Sequence, residues 1–153
     1  MSTWIGTFNQ SDYPVVKINI YGIFQGLQQE FDARIDTGFT GFLSMPLTLA
    51  FPLGLMLSGT TTLVFADGSS QATFTAWGHV SRDNEDHTGV IVLQESAGEV
   101  LIGMEFLRRF GKALYVSQKK RSVLLVDDGP PGRPDTASRD AAGVAAPEHF
   151  SQA

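Results

Sequence analysis

Short apolar–polar alternations dominate the first 126 positions. Val15 to Tyr21 (VVKINIY) alternates after Lys17, is rich in β-branched residues and stops at Gly22, the pattern of a half-buried strand. A polar turn follows, and Gln29 to Ile35 reads as a second strand running up to Asp36-Thr37-Gly38. Thr60 to Phe65 and Gln71 to Trp77 flank Asp67-Gly68, a dipeptide that predicts a two-residue type I′ hairpin turn. Gly89 to Leu93 (GVIVL) has the length of a short buried strand. Glu99 to Gly103 is a further apolar run, and Met104 to Phe110 predicts one short helix closed by Gly111. Ala113 to Val116 and Ser122 to Val126 predict a closing hairpin around Lys119-Lys120-Arg121. Many short strands and one short helix predict an all-β fold, a small closed or partly closed β-barrel. There is no internal repeat.

Two stretches break the pattern. Phe42 to Leu57 is almost wholly apolar, but Pro46, Pro52 and Gly54 interrupt it and it falls short of the roughly 20 residues a spanning helix needs, so core and loop are expected there. From Asp127 the chain reads DDGPPGRPDTASRDAAGVAAPEHFSQA, holding four of its seven prolines and no apolar period before Phe150. That composition does not offset its ordering entropy. One domain over residues 1–126 and a disordered polar tail over 127–153 are therefore expected.

Composition narrows the chemistry. With 153 residues and 42% hydrophobic content the chain suffices for one buried core, and 16 Gly with 11 Phe favour strands over long helices. The net charge is −5 and only Lys119-Lys120-Arg121 clusters basic residues, which argues against nucleic acid as a partner. The absence of cysteine excludes disulfides, thiol nucleophiles and Cys-ligated metal, and fits a reducing compartment. Met1-Ser2-Thr3-Trp4 lacks the basic and apolar regions of a signal peptide, so a cytoplasmic location without membrane attachment is expected.

The candidate for chemistry is Asp36, at the end of a strand in Ala33-Arg34-Ile35-Asp36-Thr37-Gly38-Phe39-Thr40-Gly41. Gly38 allows backbone to approach closely enough for its N–H to reach a carboxylate, and Thr37 offers a hydroxyl to brace the loop. Taken alone, Asp-Thr-Gly is also a common solvated turn. Two further elements follow in order. One is the hairpin turn Ala66-Asp67-Gly68-Ser69, about thirty residues on, and the other is Leu101-Ile102-Gly103 before the short helix Met104-Glu105-Phe106-Leu107.

In these three ordered elements the chain resembles the retropepsin-like aspartic proteases, particularly the compact single-domain forms of bacteria, over most of residues 13–126. The resemblance implies an aspartic endopeptidase that uses two carboxylates and one water, without metal or organic cofactor. Asp36 would be the catalytic residue, Thr37 and Gly38 would support the active-site loop, and Asp67 and Gly68 would form the tip of a flap over a peptide substrate. Gly103 would pack behind the catalytic loop. Two carboxylates a few ångströms apart share a proton, the charged one serving as base toward water and the protonated one polarising the scissile carbonyl. One chain supplies one such Asp, so a homodimer is implied, with Thr37 bonding across its axis. The rival reading is a catalytically inactive module of the same fold that dimerises or binds peptides. Phe39 departs from the family pattern, in which a small residue, often with a hydroxyl, follows the glycine.

Weaker candidates are read as structural. His79 and His87 flank Ser81-Arg82-Asp83-Asn84-Glu85-Asp86, expected to be an exposed acidic loop rather than a metal site. Ser69 and Ser70 have no base at useful spacing. Phe74 and Trp77 are expected to pack in the core or across strands, and Asp127 and Asp128 to be solvated.

Overall fold

The computed structural model describes residues 2–95 and 98–129. Among the described residues there are ten strands: β1 Trp4–Phe8, β2 Pro14–Tyr21, β3 Gln29–Ile35, β4 Leu43–Pro46, β5 Met56–Val64, β6 Ser70–Arg82, β7 Glu85–Gln94, β8 Val100–Ile102, β9 Lys112–Ser117 and β10 Ser122–Asp127. Helix α1 (Leu47–Ala50) follows β4, and helix α2 (Met104–Phe110) follows β8. The chain is thus mostly β. All ten strands join in the order β5-β6-β7-β4-β8-β3-β2-β1-β10-β9, and one further pairing, β2 with β6, returns the succession on itself through six strands. Both β1 and β6 take the same side of β2: Pro14 and Val15 pair with β1, and Asn19 to Tyr21 pair with β6.

The alternation seen in the sequence is what fills this ring. Val16, Ile18 and Ile20 of β2, Ala33 and Ile35 of β3, Leu43 and Met45 of β4, and Ile91 and Leu93 of β7 all point inward and are buried. Aromatic rings close the helix side. Phe106 and Phe110 of α2 lie 4.5 Å apart between centroids, and Trp4 meets Phe110 edge-on at 5.1 Å. Such pairs contribute about 0.5–1.5 kcal/mol beyond the area they bury. Gly111, at φ +60, ends α2 as expected.

The structure extends or corrects the sequence expectations at several points. Strand β1 was not foreseen, since its five residues (WIGTF) are too few to show a period. The apolar stretch from Phe42 is not loop: it holds β4, then α1 and a 3-10 turn over Phe51–Leu53, so α2 is not the sole helix. Pro46 at φ −61 starts this segment and Gly54 at φ +64 ends it. It lacks a side-chain cap and is too brief for a helical period. Residues 81–86 are not a loop but the end of a hairpin whose tip is only Asp83 and Asn84. Strand β10 reaches Asp127, one residue past the expected edge. The expected tail from residue 130 lies outside the described residues. Among the described residues no helix is long and apolar enough to cross a membrane.

Asp127 is not simply solvated. Its Oδ1 lies 2.6 Å from Nζ of Lys112, whose side chain is completely buried, and Glu85 Oε2 lies at 3.2 Å. The same ammonium donates to the Ser2 carbonyl at 2.7 Å and sits 4.8 Å above the Trp4 ring. One cation thereby ties the lead-in to β1, the β6–β7 hairpin and both strands of the last hairpin. Lys112→Ala leaves the two carboxylates without their cation. The expected loss is about 3 kcal/mol, toward the low end for a broken buried pair because both acids keep some solvent access. Urea unfolding checks it, and a loss below half that figure refutes the tie.

Candidate active site

Strand β8 lies between β3 and β4, parallel to the first and antiparallel to the second. The loop from Asp36 to Phe42 joins β3 to β4, so it must cross the end of β8, where α2 begins. Backbone hydrogen bonds fix the crossing. Asp36 N–H donates to the Ile102 carbonyl at 2.9 Å, and Gly103 N–H donates to Phe42 at 3.3 Å. The first N–H groups of α2 have no partner within the helix, and Gly103 offers no side-chain cap. The loop satisfies them: Met104 N–H donates to the Phe39 carbonyl at 2.8 Å and Glu105 N–H to Thr40 at 3.2 Å.

This contact is close enough to dictate glycine. A Cβ at position 103 would sit on the carbonyl oxygens of Phe39 and Gly41 and 2.8 Å from Phe39 Cδ2, and a Cβ at 41 would lie 2.5 Å from Phe39 Cζ. Gly103 therefore packs directly behind the loop. Gly41 was not singled out from the sequence, where nothing marks a glycine whose purpose is to admit a ring. Phe39 is that ring. It is buried to 2% exposure against Gly41 and Gly103, so packing accounts for its departure from a small hydroxyl residue.

On this support Asp36 is half-buried, while Thr37 and Gly38 are exposed. Gly38 N–H donates to Asp36 Oδ1 at 2.9 Å, the contact that glycine at this position was expected to allow. Thr37 faces outward into a hollow of about 660 Å³ that it shares with Thr40, Met104, Leu107, Ala113 and Leu114.

Asp67 and Gly68 occupy the tip of the β5–β6 hairpin, distant in sequence from Asp36 and hydrogen-bonded within the tip. The turn is not type I′, which requires positive φ at both central residues. Only Gly68 has it, at φ +84, with Gly68 N–H donating to the Phe65 carbonyl at 2.9 Å and Phe65 N–H to Ser69 at 2.8 Å. This is a three-residue connection with a glycine bulge, because the Asp67 carboxylate is engaged locally. Its Oδ1 accepts from the Ser69 hydroxyl at 2.5 Å and the Ser69 N–H at 2.8 Å. The hairpin arm reaches the Asp36 loop: Phe39, Thr40 and Gly41 face Thr61 to Val64 of β5 across a cleft of about 230 Å³ whose floor is Val92. A neighbouring hollow of about 350 Å³ joins Thr40 and Gly41 to Trp77, Val90 and Arg109. Phe74 and Trp77, expected in the core or packed across strands, are each 47% exposed and lie opposite Leu93 and Val90 of β7.

The two histidines diverge. Val80 pairs with His87, so His79 projects from the opposite face of the hairpin. His79 stacks on Tyr21 at 4.8 Å and hydrogen-bonds Thr88, whereas His87 packs edge-on against Phe110. Tyr21 donates to Asp86, and that carboxylate pushes the phenol up to about 12, fixing it as a donor where β2 meets β6.

No family model matches the chain, and no curated protein matches it in sequence. Solved structures do. EIAV protease, in its complex with the inhibitor HBY-793, superposes with a TM-score of 0.56 at 14% identity, covering 72% of this chain and 99% of that one. A retropepsin-like aspartic protease from Rickettsia conorii gives 0.53 at 15% identity, over 81% of this chain and 90% of that one. Likeness at such identities is one of fold.

Two outcomes test the site as built. Gly103→Ala forces the loop off α2 and is expected to destabilise by about 1–3 kcal/mol, the range for overpacking, with amide shifts concentrated at residues 36–42. Unchanged stability contradicts the packing. At the hairpin tip, the Ser69 hydroxyl holds the Asp67 carboxyl below its usual 3.8. A depressed value means the clasp stabilises the folded form above the unfolded pKa and is lost only as pH falls through the folded one. Carboxyl NMR titration should place Asp67 below 3.8, with Ser69→Ala moving it up, and a wild-type midpoint at or above 3.8 refutes the clasp.

Proposed function

The fold is retropepsin-like, and on it we propose that the chain is an aspartic endopeptidase whose active site is completed by a second copy. The observation that carries this is the placement of Asp36. It is a half-buried carboxylate at a strand end, held by the Gly38 N–H at 2.9 Å, on a loop whose far side borders a cleft roofed by a hairpin arm.

The chemistry follows from charge. Among the described residues the Asp36 carboxylate hydrogen-bonds Gly38, and no group of three or more acids and histidines gathers anywhere. Activating water and polarising a carbonyl at the same time calls for one charged and one protonated carboxyl. A two-fold axis beside the loop supplies both from the same residue. The ionised Asp36 takes a proton from water as the oxygen attacks the peptide carbonyl carbon, and the protonated Asp36 of the other copy donates to the carbonyl oxygen. The C–N bond of the resulting diol then breaks as the proton taken from water passes to the leaving nitrogen, and a diol hydroxyl returns its proton to the second carboxylate, leaving an acid, an amine and a pair that again shares one proton. In this reading Thr37, exposed in the single chain, bonds across the axis and holds the two loops in register. The ring of six strands serves as a small closed barrel that keeps each loop rigid. Asp67 and Gly68 lead the flap. An extended peptide lies between flap and loop, pairing its main chain with strand edges. Phe39, Leu63 and Val92 favour apolar side chains next to the cleaved bond.

The test uses a peptide library with mass-spectrometric detection of new termini. Asp36→Asn is expected to keep fold and dimer while hydrolysis falls by at least the roughly 100-fold that a positioned acid–base group contributes. Adding excess Asp36→Asn chains is expected to poison the wild type through mixed dimers. Cleavage by Asp36→Asn at near wild-type rate removes the assignment. Activity indifferent to added mutant chains and strictly proportional to enzyme removes the shared site.

A further inference from the structure

We propose that the protein has a lipid-binding face, in which two neighbouring turns and the base of the β5–β6 arm lay an uncharged apolar patch against a bilayer of zwitterionic headgroups.

Three long runs of the sequence, 18–29, 37–66 and 68–81, hold no acid, lysine or arginine. The fold gathers parts of all three on one face. Residues Gln25–Leu27 form a 3-10 turn beside the one over Phe51–Leu53. The two turns meet at Gly54, where an added Cβ would lie 3.5 Å from Leu27 Cδ1 and 3.6 Å from Phe24 Cδ2. Ile23, Phe24 and Phe51 stand outward here at 61%, 63% and 73% exposure. Leu27, Leu57 and Phe74 continue the patch and are exposed as well. In its midst, between α1 and the arm, opens a hollow of about 280 Å³ whose side chains are all apolar, Leu47, Leu55 and Leu93 among them. Folded monomers rarely leave such a contiguous surface bare.

Form and charge select the occupant. Protein interfaces carry a polar rim and about one hydrogen bond per 100–200 Å² to fix the partner's orientation. These runs offer no charged rim, and the register shift between Leu57 and Gly59 breaks the β5 edge as a seat for an added strand. A bilayer boundary needs neither, since it takes apolar side chains to a depth of about 5–10 Å without directional contacts. Its own demand is that backbone groups entering it be paired. The turns meet that demand, with Leu27 N–H donating to the Phe24 carbonyl at 3.0 Å and Gly54 N–H to Phe51 at 3.1 Å. The net charge of −5 resides outside the three runs, so anionic headgroups repel the protein and zwitterionic ones suit the patch. The expectation of no membrane attachment rested on the lack of a leader and of a spanning run. A patch assembled from three separate segments shows in neither.

Because the chain has no cysteine, one fluorophore reports one position. Full-length protein carrying an environment-sensitive dye at Phe24→Cys is expected to shift to the blue on addition of phosphatidylcholine vesicles. The same dye at Lys119→Cys, in the exposed turn between β9 and β10, is expected to stay unchanged. Flotation of the unlabelled protein with these vesicles is expected to be insensitive to salt. Phe24→Ser combined with Phe51→Ser is expected to lower the vesicle partition at least about tenfold, with urea unfolding unchanged because both positions are exposed. Failure to float with phosphatidylcholine, or flotation that the double variant leaves intact, overturns the proposal. Adsorption confined to anionic vesicles and reversed by salt does the same. So does self-association without lipid that the double variant abolishes, because the patch then joins protein to protein.

Discussion

The candidate site depends on a crossing: one loop has to pass over the end of a strand that lies between the two strands it joins. Because β8 lies between β3 and β4, the Asp36 loop cannot run straight. It bends over the start of α2, and the bend is stable only because the helix's first N–H groups need acceptors that the loop's carbonyls provide. Gly103 and Gly41 make the approach possible, and the Phe39 ring fills the space they leave. The carboxylate is thus held by backbone geometry rather than by a network of polar side chains. Asp36 owes its position to residues that have no chemistry of their own.

Rigidity is distributed unevenly around that loop. On one side stand the buried faces of β3, β4 and β8 and the packed rings of α2. On the other, β5 is exposed along most of its length, and the hairpin tip is held by contacts between neighbours in sequence. Local unfolding energies follow buried contact, so the hairpin belongs to the least stable part of the molecule and the loop to the most stable. On the proposed peptidase reading that division has a use, since the roof would lift for a substrate while the floor stays still.

Much of this was legible in the sequence, for identifiable reasons. Strand β3 and helix α2 fall where alternation, Gly111 and the Asp-Thr-Gly string placed them, because each is long enough for its period or carries its own stop signal. The loop's glycine-to-carboxylate bond followed from spacing alone. What escaped was contact at a distance. Phe39 was legible as an anomaly in a motif, yet its explanation lies in Gly103, more than sixty residues away. Nothing in the sequence singles out Lys112, and only the fold brings Ser2, Glu85 and Asp127 around it. The turn at Asp67-Gly68 was misjudged because a dipeptide rule ignores Ser69, whose hydroxyl and N–H claim the carboxylate. His79 and His87 were expected to flank an exposed loop; the segment is instead a hairpin, and the two-residue period of its strands sends the two rings to opposite faces.

The buried ammonium of Lys112 has a topological consequence. The Ser2 carbonyl and the Asp127 carboxylate meet on the same nitrogen, at 2.7 and 2.6 Å, so the lead-in to β1 and the end of β10 converge on one point. A chain closed there by a short linker would become a ring without displacing any strand. It could then be reopened at another surface turn, such as the one at Gln118–Arg121 between β9 and β10. The order of elements along the polypeptide is therefore separable from their arrangement in space. The same proximity lets two units be joined head to tail by a tether that need only cover the distance between copies, which would build the proposed pairing into a single molecule.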